Sequence, residues 1–279
     1  MTKEKLPDFI IVGPSKAATT WVYKSLKEHP EVYMPETDSL EFFNMKYHKG
    51  LDWYKEFFKD AKEEQVIGEE SPFYIRNVHA PERIKEDLGE DTKLIFLLRN
   101  PVDRAFSHYW HEKKDDEIKF DFDEVLENHD LFETWVMTGM YHTHIQRYLE
   151  HFPRENLKFM VFDDLVKDDE KFISEIFEFI GADSTYKPSY LDDKVNEAGV
   201  QWMKPYKVGK KLLKRNLSED QVDLLMPLHK KFKSLATSKT EYERGMDEEV
   251  RKELEKIFED EVVELESLLG RDLSHWVNT

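Results

Sequence analysis

The sequence contains no cysteine, no long apolar run, no internal repeat and no low-complexity stretch. Without cysteine the chain can form neither a disulfide framework nor a thiolate site for metal or redox chemistry. No apolar run approaches the roughly 20 residues that a membrane-spanning helix needs, and no segment resembles a signal peptide. We therefore expect a protein of the cytoplasm with no membrane span.

Positively charged residues are also fewer than negatively charged ones. Lysine and arginine number 41 against 59 aspartate and glutamate residues, which gives a formal charge of −18. An acidic surface argues against nucleic-acid partners, attachment to anionic lipid and a highly sulfated polyanion as substrate. The 39% of hydrophobic residues can fill a sizeable core, and we expect one domain over residues 1–279.

The stretch DFIIVGPSKAATTWVYKSLKEH, residues 8–29, carries the most chemical information. Residues 8–12 form an apolar run that is too short for a helix and rich in Ile and Val, which predicts a buried strand. Gly13-Pro14 breaks that strand, and a helical pattern begins at Ala17. A strand, a tight loop and a helix N-terminus make an anion site, because free N–H groups and the positive end of the helix dipole converge there.

Polar side chains in this loop suit a phosphate or sulfate ester. They supply one ammonium group and three hydroxyl donors: Lys16, Ser15, Thr19 and Thr20. A Walker A loop places its lysine directly before a hydroxyl residue and after a second glycine. Here the lysine follows Gly13 by three residues and the second glycine is missing, so the pattern argues against a nucleoside-triphosphate loop.

Residues 94–110, LIFLLRNPVDRAFSHYW, repeat the arrangement of strand, sharp turn and helix. The run LIFLL is typical of a parallel strand that is buried on both faces. Arg99, at the end of this strand, can present a planar fork of donors to a phosphate. Ser107 lies about two helical turns further on and can reach the same anion. Asp103 and Arg104 are interpreted as an ion pair or as helix N-terminal charges with a structural role.

The order of the elements predicts the fold class. Two further strands, residues 66–70 and 157–162, alternate with helical stretches. Four such strands predict an α/β fold with a central parallel sheet flanked by helices, and ligands bind such sheets at the carboxyl ends of the strands. An apolar stripe from residue 247 to about 269 predicts a helical C-terminal part.

Both motifs resemble those of the sulfotransferases that use 3′-phosphoadenosine 5′-phosphosulfate (PAPS). The first resembles their 5′-phosphosulfate loop, G-P-x-K-[ST]-G-T-T, with Ala18 in place of the glycine. The second resembles their 3′-phosphate element, R-[ND]-P-x-[ED]-R-x-x-S-x-Y/W. The segments FFNMKYHKGLDWYKEFF, GEESPFY and GRDLSHW are similar to the heparan-sulfate N-/O-sulfotransferase and bacterial branch. The resemblance implies the P-loop NTPase-like sulfotransferase fold.

The resemblance also implies an enzyme that moves the sulfuryl group of PAPS to a hydroxyl or amine, without a metal. The acceptor would be a small molecule, a lipid or a carbohydrate, and the oligomeric state stays open. Lys16 is expected to stabilise charge at the bridging oxygen. The residues expected at the cosubstrate are Ser15, Lys16, Ala17, Ala18, Thr19, Thr20, Trp21, Arg99 and Ser107.

The identity of the general base is open, because Ser39 stands where glycan-modifying relatives have a glutamate. Nearby acids, and a histidine on the second-motif helix one turn from His108, are the alternatives. These candidates are Asp38, Glu41, Glu70 and His111. Glu70 takes the place of the lysine in the family's E-K-S segment, so the acceptor side departs from heparan-type enzymes.

Two other functions stay open on the sequence. A protein that binds PAP or PAPS without catalysis would follow from the loss of the usual base, and a P-loop-like kinase is the weaker alternative. Residues 182–217, a basic segment without periodicity, are either a solvated loop or a flap over the active site. His142 and His144 form an H-x-H pair without evident further ligands, so no metal site is predicted.

Overall fold

The computed structural model describes residues 5–113, 121–192 and 246–277. Residues up to 192 and from 247 onward belong to one compact unit. The segment 182–217 lies outside the described residues from 193 onward, so the flap stays a prediction. Within the described ranges, no helix has the length and apolar character to cross a bilayer, and no three potential ligands cluster around a metal position.

Five parallel strands form the central sheet. They are β1 (Phe9–Gly13), β2 (Val32–Tyr33), β3 (Val66–Glu70), β4 (Lys93–Leu98) and β5 (Leu157–Val161). Their order is β2-β3-β1-β4-β5, so β1 lies between β3 and β4. All of β1, and β4 after its first residue, are buried, as continuous apolar runs predict. The predicted parallel α/β sheet is confirmed.

The strand β2 was not predicted from the sequence. It has only two residues, Val32 and Tyr33, which pair with Val66 and Ile67 at the edge of the sheet. A strand this short shows no alternation in the sequence, and its partner strand decides its conformation.

Helices follow the strands and flank the sheet. The α-helices are α1 (Thr19–Glu28), α2 (Leu51–Lys55), α3 (Ala80–Leu88), α4 (Pro101–Lys113), α5 (His129–Leu131), α6 (Tyr141–Leu149), α7 (Phe162–Lys167), α8 (Asp169–Ile180) and α9 (Glu248–Leu269). Phe42–Lys46 and Phe132–Val136 are π-helical, and short 3-10 turns span Tyr47–Lys49, Phe122–Leu126, Met137–Gly139, Arg154–Asn156, Ser189–Asp192 and Ser274–Trp276. The helical C-terminal part is thus α9, which packs on α6 and α4.

The core fixes the helix that starts at the first motif. Val22 and Leu26 of α1 are fully buried against apolar residues of β1 and α8. Each fully buried side chain of this size contributes about 1.5–3 kcal/mol to folding. The N-terminus of α1 therefore has a defined position at the carboxyl end of β1.

Candidate active site

The loop between β1 and α1 turns sharply with its N–H groups available. Gly13 has a φ of 103°, and a Cβ there would lie 2.1 Å from the main-chain oxygen of Pro72. Lys16 and Ala18 both have a φ of 69°, in the left-handed region. No side chain of the described residues caps α1, so its first N–H groups remain for a ligand. This geometry is that of an anion cup, as the sequence predicted.

The side chains of the β1–α1 loop differ in their burial. Ser15 Oγ is buried without a hydrogen-bond partner in the described part of the chain. Thr20 is exposed and Lys16 is half-buried. The unpartnered hydroxyl is a donor left for a ligand oxygen, so the loop fits the phosphosulfate end of PAPS. Among the expected cosubstrate residues, Ala17 is buried in the core, and Trp21 is partly buried and packs edge-on against Phe172 with ring centroids 6.3 Å apart.

Arg99, from the second motif, contacts the loop of the first motif. Its Nη1 donates a hydrogen bond to the main-chain oxygen of Lys16 at 3.2 Å. Its guanidinium lies over the ring of Phe162, 4.7 Å from the centroid, and Tyr141 donates its hydroxyl to the Arg99 main-chain oxygen at 2.9 Å. Ser107 is partly exposed on α4. Since β1 and β4 are neighbours, the two anion elements lie side by side at the carboxyl edge of the sheet.

The segment after α9 is bound to this edge. Asn100 donates from Nδ2 to the main-chain oxygen of Trp276 at 3.0 Å. Trp276 in turn donates from Nε1 to Asp163 at 3.1 Å, and Arg271 pairs with both carboxylate oxygens of Asp164. The GRDLSHW segment therefore buttresses the ends of β4 and β5, a contact that sequence periodicity does not show.

Glu70 ends β3 directly beside the β1–α1 loop. Its carboxyl group is buried beside the Thr19 hydroxyl. Burial raises the pKa of Glu70 to about 8; the Thr19 hydroxyl opposes the rise, and three neighbouring acids add to it: Asp38, Glu41 and Glu69. A carboxyl group with this pKa gains and loses its proton near neutral pH, as a general base requires.

Glu41 and Glu69 are held inside the protein by hydrogen bonds. Glu69 accepts from Ser71 Oγ at 2.6 Å and from the Tyr74 hydroxyl at 2.8 Å. Glu41 accepts from Ser39 Oγ at 2.8 Å, and its N–H donates to Ser71 Oγ at 2.9 Å. Burial raises the pKa of both carboxyl groups, that of Glu69 to about 7. These contacts fasten the turn around Glu41 to the end of β3.

The remaining candidates for the general base differ in how far they are exposed to solvent. Asp38 and His111 are both exposed. His108 is buried, with Nε2 3.1 Å from Glu112 Oε1, and burial lowers its pKa to about 4. The two histidines lie one turn apart on α4, and of the two only His108 is buried.

Of the two interpretations of Asp103 and Arg104, the mutual ion pair is wrong, whereas a structural role as a helix N-terminal charge holds for Asp103, in the first turn of α4. Asp103 pairs with Arg251 of α9 at 2.6 Å. Arg104 is fully buried and donates from Nη2 to the main-chain oxygen of Trp135. Adjacent positions on a helix point in different directions, so the two side chains diverge.

The chain is similar in sequence to human and mouse sulfotransferases. It is 29% identical to human bifunctional heparan sulfate N-deacetylase/N-sulfotransferase 3 over 298 aligned positions, which cover 99% of this chain and 32% of that protein. It is 33% identical to mouse heparan sulfate glucosamine 3-O-sulfotransferase 3A1 over 185 positions, covering 64% of this chain and 46% of that protein. The chain thus spans less than half of the length of these relatives.

The fold and the family model agree with these relatives. The crystal structure of a sulfotransferase from Alicyclobacillus acidocaldarius superposes with a TM-score of 0.72 at 23% identity, covering 98% of this chain and 99% of that one. The sequence model described as "Sulfotransferase domain" matches residues 6–267. The chain therefore belongs to the sulfotransferase family.

Proposed function

We propose that this chain transfers the sulfuryl group of PAPS to a hydroxyl or amine of an acceptor. The observation that carries the proposal is the pairing of two anion elements at neighbouring strand ends, where Arg99 contacts the main chain of Lys16. The heparan sulfate relatives support a carbohydrate among the candidate acceptors. Small molecules and lipids remain alternatives, because Ser39 and Glu70 depart from the heparan-type pattern on the acceptor side.

The residues of the two motifs would divide the cosubstrate between them. When bound, PAPS supplies the sulfuryl group and leaves as PAP. The hydroxyl of Ser15 and the N–H groups at the start of α1 would hold the 5′ end. Lys16 would neutralise the negative charge that develops on the leaving phosphate. Arg99 and Ser107 would hold the 3′-phosphate, which distinguishes PAPS from ordinary adenine nucleotides.

Glu70 is our candidate for the group that accepts the proton of the acceptor. Its position beside the loop and its contact with Thr19 support this role, as does the pKa of about 8. Glu41 is the second candidate, although both of its carboxylate oxygens already accept hydrogen bonds, from Ser39 and Asn44. The exposure of Asp38 and His111 makes them weaker candidates, because water screens and competes for their protons.

Thermal unfolding with PAP, with ADP and with ATP/Mg²⁺ tests the cosubstrate. A ligand at about 100 times its Kd that binds only the folded protein adds about 2.7 kcal/mol of stability. We expect a shift with PAP that is largely lost in Arg99→Ala. A shift with ATP/Mg²⁺ alone would favour a kinase. PAP binding without transfer to any acceptor in a broad panel would favour a non-catalytic binding protein.

A further inference from the structure

Arg104 is a buried guanidinium without an acidic partner in the described residues. Its side chain is fully buried, Nη2 donates a hydrogen bond to the main-chain oxygen of Trp135, and the Tyr141 phenol lies close to the guanidinium. Nε and Nη1 are buried and unpartnered within the same ranges. Burying a cation without a counter-charge opposes folding, and an anion bound nearby would reduce that penalty. The family motif contains this arginine, but the cosubstrate contacts proposed above leave it without a role.

Tyr141 connects Arg104 to the cosubstrate arginine. The Tyr141 hydroxyl donates to the main-chain oxygen of Arg99 at 2.9 Å. Burial raises the pKa of Tyr141 to about 12, and the charges of Arg104 and Arg99 oppose the rise. Burial lowers the pKa of Arg104, and the charge of Arg99 lowers it further. The two guanidinium groups therefore lie within electrostatic reach of each other, and both influence the Tyr141 phenol.

We propose that Arg104 is a positioning charge for the anion that Arg99 holds, acting through Tyr141 and through the field of its guanidinium. The inference rests on the proposed function, because it takes this anion to be the 3′-phosphate. A doubly charged phosphate at Arg99 supplies the counter-charge that Arg104 lacks. In a site of low dielectric this attraction acts without direct contact. Tyr141 fixes the main chain of Arg99, so that its fork faces the anion.

Calorimetric titration with PAP and with 5′-AMP tests this role, because the two ligands differ only in the 3′-phosphate. Arg104→Gln removes the charge and keeps an amide donor for the Trp135 oxygen, whereas Arg104→Lys keeps the charge. We expect Arg104→Gln to raise the Kd of PAP about tenfold, the order of a charge acting across several ångströms of protein. Arg104→Lys should stay close to the wild type, and neither variant should change the Kd of 5′-AMP.

A second variant and a matched control keep the result interpretable. Tyr141→Phe leaves Arg104 in place and should also weaken PAP relative to 5′-AMP. Arg154 donates to a main-chain oxygen, that of Leu157 at 2.8 Å, at the amino end of β5, and Arg154→Gln should leave both affinities unchanged. The unfolding temperature of the ligand-free Arg104→Gln protein should be equal to or above that of the wild type, because a buried unpaired charge is gone.

Several outcomes would overturn the inference. Equal weakening by Gln and Lys, or equal weakening of PAP and 5′-AMP, would mean that Arg104 acts by packing alone. If both Arg104 variants fail to fold, the arginine has a structural role and not a positioning role at the anion. An unchanged PAP affinity in Arg104→Gln and Tyr141→Phe would exclude any role at the anion. If wild-type protein binds no PAP, or Arg99→Ala binds it unchanged, the proposed function itself fails and the inference falls with it.

Discussion

The hydroxyl of Thr19 lies beside the buried carboxyl group of Glu70 and opposes the rise of that group's pKa. The first turn of α1 and the end of β3 therefore meet at these two side chains. In the proposed function, a carboxyl group whose pKa burial raises to about 8 would lie at the element that holds the phosphosulfate. Proton transfer and cosubstrate binding would then take place at one junction of the fold.

Glu70→Gln should abolish most of the transfer activity. Removing a general base lowers kcat by about 10²–10⁴-fold, while the affinity for PAP should change little. In the wild type we expect kcat/KM to rise with pH up to about 8 and then to level off, because the base must be deprotonated. Initial rates of PAP release between pH 6 and about pH 9 measure both effects. Glu82→Gln, which changes an exposed acid on α3, is the control; a profile that is flat through pH 8 would contradict the role of Glu70.

The same carboxyl group should make folding stability fall as pH rises. The pKa of Glu70 is about 8 in the folded protein and near its ordinary value of 4.5 in the unfolded chain. Between these values the folded state keeps a proton that the unfolded state has lost, which lowers the free energy of unfolding by up to about 1.4 kcal/mol per pH unit. Denaturant unfolding of wild type and Glu70→Gln across this range should show a smaller decline in the variant. Equal declines would mean that the buried group does not hold its proton.

Lys16→Ala should lower kcat more than it weakens PAP binding. A charge that acts on the leaving phosphate is worth about 10²–10³-fold in kcat, because it interacts most strongly in the transition state. Single-turnover rates and PAP titrations on the same variant separate the two effects. Lys24→Ala, on α1 but outside the loop, is the control. Loss of affinity with an unchanged rate at saturation would show that Lys16 only binds.

Ala18→Gly should stabilise the protein. Ala18 has a φ of 69°, a conformation that a Cβ disfavours by about 1–2 kcal/mol and that glycine adopts freely. Part of this gain is offset by the flexibility of glycine in the unfolded chain, so we expect a net increase of about 1 kcal/mol in the free energy of unfolding. Ala17→Gly is the matched control: Ala17 is buried outside the left-handed region, and the same change there should destabilise. Destabilisation by both would refute the strain at Ala18.

Four of the five strands and both strand–loop–helix motifs could be predicted because their signals are local. The run LIFLL is buried and apolar over its whole length, and Arg99 follows it directly in the chain. The contact between Arg99 and Lys16 follows from strand order, which the alternation of strands and helices constrains without fixing. The rest of the predicted site came from the resemblance of both motifs to one family.

The contacts of the charged side chains could not be predicted, because their partners are distant in sequence. Asp103 pairs with Arg251, 148 positions later, and not with its neighbour Arg104. Glu70 is likewise buried near acids that are distant in sequence, Asp38 and Glu41. Hydrophobic periodicity shows which face of a helix or strand is buried, but it does not show which polar group packs against that face.

The hydrogen bond from Asn100 to Trp276 spans 176 positions of the chain. It completes the edge of the sheet at which Arg99 stands. During synthesis on the ribosome, the β1–α1 loop and Arg99 emerge long before the segment that supports them. The cosubstrate site therefore matures late, after most of the chain has been translated, and a nascent chain that lacks residues 271–276 carries the binding motifs without their full support.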